Sequence, residues 1–177
     1  MKPNKNKVLT VNVNGQSYMR IPVKTHVVLP NDDLDEVIVE YVPDLLEDGD
    51  IVFVTEKIVA ISQGRAYPID EVEPRKLATF LAKFVTKTPH GIGLGMPETM
   101  EMALQECGTM RILFAAGVSA LGKLVGRKGD FYRVAGEKAR AIDGPTEGTI
   151  PPFDTYVVLG PDKPKEVADR IKTLLDK

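Results

Sequence analysis

The predicted fold depends most on residues 50–65, which read Asp50-Ile51-Val52-Phe53-Val54-Thr55-Glu56-Lys57-Ile58-Val59-Ala60-Ile61-Ser62-Gln63-Gly64-Arg65. A turn signal, Asp48-Gly49-Asp50, precedes four β-prone apolar residues, and such a short run predicts a strand covered on both faces. The polar trio Thr55-Glu56-Lys57 lies at the predicted carboxyl end of the strand, where ligands bind in open sheets. The same trio is typical of a helix start with Thr55 as its cap, and this simpler interpretation is favoured.

The residues before this stretch predict a hairpin and a helix. Residues 9–14 alternate apolar and polar side chains, and Asn14-Gly15 is a strong turn signal before a return strand at 17–23. Residues 25–29 predict a third short strand. Asp32-Asp33 then predicts the start of an amphipathic helix, which Pro43 splits or kinks.

The residues after it predict mainly helices. One helix runs from Pro74 to about Thr86, and another begins at Pro97 with Met100 in the core rather than in a ligand set. Residues 111–125 predict a buried helix, or a strand followed by a helix, and residues 131–134 a short strand. A long polar loop at 142–152, a buried strand at 156–159 and an amphipathic helix at 163–175 complete the chain.

Composition limits the classes of function. The 177 residues carry a formal net charge of -2 and no sustained basic run, which argues against a nucleic-acid partner. A single cysteine and two histidines are too few for a disulfide framework or a His-rich metal centre. Arg111 and Lys123 bound the most apolar window, which leaves too little apolar length to span a bilayer. We expect one domain over residues 1–177, with 1–7 as a flexible tail, in a soluble cytoplasmic protein without a membrane partner.

Two loops carry residues of the types that act in catalysis or bind metal ions. His90 and Glu98 lie around a glycine-rich segment and are the candidate catalytic residues. Asp143, Thr146 and Glu147 offer oxygen atoms of the kind that Mg²⁺ and Mn²⁺ prefer, with Asp143 as the metal candidate. Simpler interpretations stay open, because His90 suits a turn cap and Asp143-Gly144 is a common turn dipeptide.

A third loop, Gly126-Arg127-Lys128-Gly129-Asp130, has the most distinctive charge. Its glycines and two cations could give backbone N–H groups and positive charge to a phosphate. An ordinary basic turn explains the loop equally well.

Several segments resemble one known family. They are Ile21-Pro22-Val23-Lys24-Thr25, the helix start Asp32-Asp33-Leu34, Asp48-Gly49-Asp50-Ile51-Val52-Phe53-Val54, and Lys57-Ile58-Val59 with Gly64-Arg65. Together they resemble the coenzyme F-420 γ-glutamyl ligase family, continuously from about residue 20 to residue 65. His90-Gly91 and Val157-Val158-Leu159-Gly160-Pro161 resemble later landmarks, and Ile142-Asp143-Gly144-Pro145-Thr146 is similar to a shorter sister group.

The resemblance implies an α+β fold, a mixed sheet with surrounding helices, that works as a homodimer. It also implies an enzyme that uses GTP and a divalent metal to join L-glutamate to a carboxylate of a deazaflavin coenzyme. Phosphorylation of a carboxylate creates a leaving group that an amine can displace, and metal and cationic groups offset the charge on the phosphates.

Two departures from the family pattern weaken the expected activity. The ligases carry a Ser-Lys-Ala-Glu-Gly-Arg type run, and Ile61 stands where its lysine belongs. Their metal-binding Asp and Asn motif is replaced by residues 95–98, in which Glu98 is the available substitute. Loss of a phosphate cation together with a metal carboxylate should slow the same reaction greatly.

The sequence therefore supports two hypotheses. The first is a ligase-family protein that binds a nucleotide, glutamate or an acidic acceptor. Its cofactor-binding candidates are Lys24, Glu56, Lys57, Arg127, Lys128 and Thr146. The second is a non-catalytic binding or scaffold paralogue that retains the fold and has lost turnover.

Overall fold

The computed structural model describes residues 7–85, 93–146 and 148–176. In chain order the elements are β1 (Thr10–Val13), β2 (Gln16–Met19), α1 (Leu34–Tyr41), α2 (Glu56–Ser62), β3 (Ala66–Pro68), α3 (Lys76–Ala82), α4 (Pro97–Cys107), α5 (Thr109–Leu124), α6 (Asp130–Ala135), α7 (Glu137–Arg140), β4 (Tyr156–Val158) and α8 (Pro164–Leu175). Short 3₁₀ turns cover Pro43–Leu45, Ile69–Glu71 and Phe153–Thr155. The expected α+β class is confirmed.

The amino-terminal hairpin forms as the sequence predicts. β1 and β2 pair antiparallel, with Val13 opposite Gln16 and Thr10 opposite Met19. Both turn residues, Asn14 and Gly15, have positive φ angles of 51° and 83°, as the tight turns of hairpins require. The return strand ends at Met19 and not at residue 23, where it was predicted to end.

Two predicted strands are absent from the described structure. Residues 50–54 and 25–29 have no strand assignment, and no described segment pairs with them. Phe53 is 88% exposed and Ile51 65% exposed, so the stretch expected to form a covered strand lies on the surface. An apolar run becomes a buried strand only where a neighbour supplies hydrogen bonds and covers its faces.

α2 begins where the simpler interpretation of the polar trio places it. The Thr55 hydroxyl caps the helix by accepting a hydrogen bond from the Ile58 N–H at 3.4 Å. The buried side of α2 carries Val59, Ala60 and Ile61.

β4 lies between two neighbours. On one side it pairs antiparallel with β3, with Ala66 opposite Val158. On the other side Asp143 and Val158 exchange two backbone hydrogen bonds, each 2.8 Å long. Val157 is inaccessible to solvent because its side chain packs in the largest core, with Ala139 and Ile142 among the members, and the predicted last strand is confirmed.

The largest core lies among the helices α3 to α7. It contains Leu94, Met100, Leu104 and Ile112, none more than 2% exposed, so the prediction that Met100 is a core residue is confirmed. The predicted strand at 131–134 is wrong, because these residues belong to helix α6, which packs on α5. Residues 111–125 form a helix, but one of its faces is exposed.

A second core joins α1 and α2 to the last helix, α8. Leu34 and Ile38 of α1 pack with Val59 of α2 and Ile171 of α8. The Asp33 carboxylate caps α1 by accepting the Asp35 N–H at 2.8 Å, as the acidic helix start predicts. After the C-cap of α1, the 3₁₀ turn begins at Pro43, in agreement with the predicted break.

Candidate functional site

The structure brings together two of the predicted site residues that lie far apart in the sequence. Lys57 is in the first turn of α2, and the Thr55 cap fixes where that turn begins. Asp143 is held by its two backbone hydrogen bonds to Val158 of β4. The Lys57 Nζ lies 2.6 Å from the Asp143 Oδ2, and the side chains are 33% and 39% exposed. Each residue of the pair is therefore held by its own element, Lys57 by α2 and Asp143 by β4, and both side chains remain accessible to a ligand.

Thr146 follows Asp143 by three residues in the same loop. Its hydroxyl donates a hydrogen bond to the Gly144 carbonyl at 3.1 Å, which folds the half-buried residue back towards the segment that carries Asp143. Glu147, the other oxygen donor predicted in this loop, lies outside the described residues. We refer to Lys57, Asp143 and Thr146 as the Lys57 site.

The Lys57 site does not by itself make a divalent-metal site. A hard cation needs several converging oxygen ligands. Within residues 7–85, 93–146 and 148–176, no three His, Cys, Asp or Glu side chains are placed to share a metal. The Asp143 carboxylate instead faces the Lys57 ammonium. The arrangement suits an exchange in which a carboxylate or phosphate of a ligand takes over the contact with Lys57.

Ile61 explains one departure from the family pattern. It is 4% exposed and packs with Ala60, Phe153 and Val158 beneath the sheet formed by β3 and β4. A cation at this position would be buried in an apolar cluster, where an unpaired charge is strongly unfavourable. Ile61 therefore serves the core, and Lys57 is the cation that α2 presents at its amino end.

The remaining predicted residues lie on other elements. Glu56 is exposed beside Lys57, Lys24 is exposed in the irregular segment between β2 and α1, and half-buried Glu98 is in the first turn of α4. No hydrogen bond or ion pair between described residues joins these three to Asp143. His90 lies outside the described residues. Its catalytic role and that of Glu98 stay predictions.

The basic loop before α6 has an internal partner. The Arg127 guanidinium donates to the Asp130 Oδ1 at 3.1 Å, and Arg133 contacts the same oxygen at 3.1 Å. Asp130 is 5% exposed, so these contacts compensate a buried charge. Lys128 is exposed in the same loop. Contact of Arg127 and Lys128 with an anion stays a prediction, and Arg127 has a structural partner already.

A partly buried ionic cluster that sequence reasoning missed supports the strand next to Asp143. Arg65 donates from Nε to the Gly160 carbonyl and from NH2 to the Glu106 carboxylate, both at 2.7 Å. Lys138 of α7 contacts the same Glu106 oxygen at 2.9 Å. The cluster connects the end of β4 to α4 and α7. Gly64-Arg65 was noted as part of the family resemblance, but no local pattern identifies Glu106 or Lys138 as its partners.

The carboxylate of Glu106 is stabilised in its charged form by the two cations of this cluster. Burial by itself would raise the pKa of Glu106, but the hydrogen bonds from Lys138 and Arg65 outweigh it and lower the pKa below its usual value. Burial, with the neighbouring Glu106 charge, raises the pKa of the Cys107 thiol. Cys107 therefore carries little thiolate at neutral pH and is a poor nucleophile.

Comparisons with known proteins agree with the resemblance seen in the sequence. The profile of the family described as F420-0:Gamma-glutamyl ligase matches residues 22–177. Coenzyme F420:L-glutamate ligase of Methanopyrus kandleri is 29% identical over 150 residues, which cover 84% of this chain and 49% of that protein. The chain thus spans about half the length of this curated relative. No solved structure matches.

Proposed function

Because this chain belongs to the F420-0:gamma-glutamyl ligase family, we propose that it forms an amide bond between L-glutamate and a carboxylate of a deazaflavin coenzyme or a related acceptor. The relative from Methanopyrus kandleri, a coenzyme F420:L-glutamate ligase, supports both coenzyme F420 and L-glutamate as the chemical classes involved. The reaction belongs to the cytoplasm in this proposal.

The proposed reaction has two steps. The acceptor carboxylate takes the γ-phosphoryl group of GTP, which leaves GDP and an acyl phosphate. The amine of L-glutamate, in its neutral form, then attacks the acyl carbon and the C–N bond forms. The nitrogen releases a proton to solvent, and inorganic phosphate leaves with the electrons of the C–O bond. Both steps concentrate negative charge, so the protein must supply cations at fixed positions.

The observation that carries this proposal is the Lys57–Asp143 contact. It places an ammonium group within a partly open polar surface, in a segment that the sequence resemblance covers. In the proposal Lys57 binds a phosphate or carboxylate oxygen, and the Thr146 hydroxyl exchanges the Gly144 carbonyl for the same ligand. Before a ligand binds, the ion pair with Asp143 holds the Lys57 side chain in position. Asp143 can do this because its own backbone is fixed to β4.

Mg²⁺ or Mn²⁺ belongs to the proposal through the family resemblance. The described residues do not fit such an ion on their own, so we assign none of the chemistry above to it. Whether GTP binding needs the metal is decided by the same titration that tests the site.

The test is calorimetric titration of GTP into the protein, with and without Mg²⁺ or Mn²⁺. We expect binding that weakens about 10- to 100-fold in Lys57→Met, as for the loss of a charged hydrogen bond. Lys163→Met is the matched control, because Lys163 is an exposed lysine that pairs with Glu166 at the start of α8. Equal GTP affinity of the wild type and the Lys57→Met protein would contradict the site.

A second candidate function is binding without turnover. The specific observation in its favour is that buried Ile61 replaces a family cation and the described residues lack a three-ligand metal cluster. Release of GDP that requires both glutamate and an acceptor carboxylate would rule out this candidate. GTP binding that Lys57→Met weakens, without any GDP release, would establish it.

A further inference from the structure

Acidic residues are missing from two segments of the sequence, one around α3 and one that contains α5. Residues 74–97 and 108–129 carry eight Lys and Arg residues and no Asp or Glu. All 25 acidic residues lie in the rest of the chain, so a protein with a formal net charge of -2 has two strongly basic segments. Such charge asymmetry indicates a partner with negative charge.

The fold brings α3 and α5 together. Both helices pack in the largest core, α3 through Ala78 and Leu81 and α5 through Ile112. Where the two helices end, the Lys123 ammonium donates a hydrogen bond to the Phe84 carbonyl at 3.2 Å. The carboxyl ends of α3 and α5 therefore lie side by side in the basic part of the protein.

Large apolar side chains are exposed at these helix ends. Phe80 and Phe84 are 56% and 61% exposed, and their rings pack edge to face with centroids 5.1 Å apart. At the end of α5, Leu121, Leu124 and Val125 are between 67% and 83% exposed. We call these five residues the α3–α5 tip. An exposed apolar group of this size with a polar rim is typical of an interaction site.

Exposed cations border the α3–α5 tip. Lys83 lies between the two phenylalanines in the sequence, and Lys128 is in the loop that follows α5. Asp130, the first acidic residue after α5, is 5% exposed and is shared by Arg127 and Arg133. Its one negative charge is therefore more than compensated, and the surroundings of the tip stay positive.

We propose that the α3–α5 tip docks this protein on the surface of a bilayer that contains anionic lipids, as the cytoplasmic leaflet does. The apolar side chains enter the boundary between headgroups and acyl chains, and the bordering Lys and Arg side chains contact lipid phosphates. A soluble anion would match the cations and leave the apolar side chains in water, whereas a bilayer surface satisfies both. The inference does not depend on the reaction proposed above, because none of these residues belongs to the Lys57 site.

Contact with a bilayer surface requires no spanning helix. Within the part of the chain that the structure describes, no single helix is long and apolar enough to cross a membrane, and α4 and α5 meet that test only as a pair, with a bend of 116° between them. The expectation of no membrane partner rested on the length of the apolar sequence, which decides spanning and not surface binding. The proposal replaces that expectation.

The first test is flotation of the protein with vesicles of phosphatidylcholine, with and without phosphatidylglycerol. We expect binding to the anionic vesicles that Lys83→Gln combined with Lys128→Gln weakens about 25-fold, since each cation near an anionic surface contributes about fivefold. Lys163→Gln combined with Lys165→Gln is the matched control, because both are exposed lysines at the start of α8. Equal affinity for both kinds of vesicle, no binding to either, or equal weakening by the two double variants would overturn the proposal.

The second test separates insertion from the attraction of charges alone. The chain contains no tryptophan, so Val125→Trp supplies a single fluorophore in the tip. With anionic vesicles its emission should shift to shorter wavelength and be quenched by brominated lipid, because the indole enters the apolar region. Ile51→Trp is the matched control, because Ile51 is 65% exposed outside both basic segments. Unchanged emission of Val125→Trp on vesicles that bind the protein would contradict insertion.

A protein surface is the competing occupant of the tip. Leu124→Ser removes an exposed apolar side chain without adding a charge, and we expect it to weaken binding to anionic vesicles about tenfold or more. Sedimentation equilibrium without lipid examines the alternative. Self-association of the wild type that Leu124→Ser abolishes, with vesicle affinity equal in both proteins, would overturn the bilayer in favour of a protein contact. Weaker vesicle binding by Leu124→Ser, with both proteins in the same state of association, would support the bilayer.

Discussion

Two apolar runs of similar composition have opposite environments in this protein. Residues 51–54 read Ile-Val-Phe-Val and residues 156–159 read Tyr-Val-Val-Leu. Phe53 is 88% exposed, whereas Val157 is fully buried. The second run has β3 on one side and Asp143 on the other, and no described segment pairs with the first. Strand propensity is therefore common to both runs, and the neighbours decide which becomes a buried strand.

A charge placed in each of the two runs should have very different effects on stability. Val157→Asp buries an unpaired carboxylate, so we expect a loss of about 4 kcal/mol or more in the free energy of unfolding. Phe53→Asp should change it by less than about 0.5 kcal/mol, since the side chain is exposed. Urea unfolding followed by circular dichroism measures both, and comparable losses would show that residues 51–54 are covered.

The ion pairs Arg75–Glu101 and Lys57–Asp143 also differ in how far they are exposed to solvent. Glu101 is 2% exposed and accepts hydrogen bonds from Arg75, with Nε–O distances of 2.8 and 3.0 Å, and from Gln105. Although burial opposes it, hydrogen bonding with Arg75 lowers the pKa of Glu101. Arg75→Met leaves a buried carboxylate without its cation and should cost about 3 kcal/mol. Lys57→Met removes a partly exposed pair and should cost less than about 1 kcal/mol. A larger loss in Lys57→Met would mean that its pair is structural.

The end of the buried run offers a smaller and more local test. A Cβ atom at Gly160 would lie 2.6 Å from the Ala141 Cβ, so Gly160→Ala should destabilise the protein by about 1–3 kcal/mol. The double variant Gly160→Ala with Ala141→Gly removes the clash and should recover most of the loss. Thermal unfolding of the three proteins measures this. A double variant no more stable than Gly160→Ala would place the strain elsewhere.

The smallest expected effect is on the pH dependence of stability. The pKa of Glu106 is lowered in the folded protein, so its stabilising contribution is present above its usual pKa of about 4.5 and is lost as the pH falls below that value. Glu106→Gln should reduce the slope of unfolding free energy against pH below 4.5 and leave the slope above pH 6 unchanged. A slope that Glu106→Gln leaves unaltered in acid would mean that its pKa is not lowered.

Much of the local structure is predictable because its signals are local. Asn14-Gly15 fixes the hairpin turn, and Thr55 caps α2 through atoms three residues apart. Pro97 opens α4 as predicted. The strand predicted at 131–134 fails because packing on α5 outweighs the preference of a short apolar run.

The candidate site was also predictable only in part. Its residue types are visible in the sequence, since Lys57 and Asp143 were both singled out by their positions in predicted loops and caps. Their contact at 2.6 Å is not visible, because it depends on the backbone hydrogen bonds between Asp143 and β4. Glu106 and Lys138 were missed because their role comes from Arg65, which reaches them from a different part of the chain.

The sequence by itself determined the family, the α+β class, the turns and the helix starts, since motifs, caps and periodicity act over a few residues. The tertiary structure decided which apolar run is covered. It also decided that Arg65 is tied into a partly buried network while Lys57 stays open at the Lys57 site. It also left one face of α5 exposed. These outcomes depend on contacts between segments that lie far apart in the sequence, and local sequence patterns do not encode such contacts.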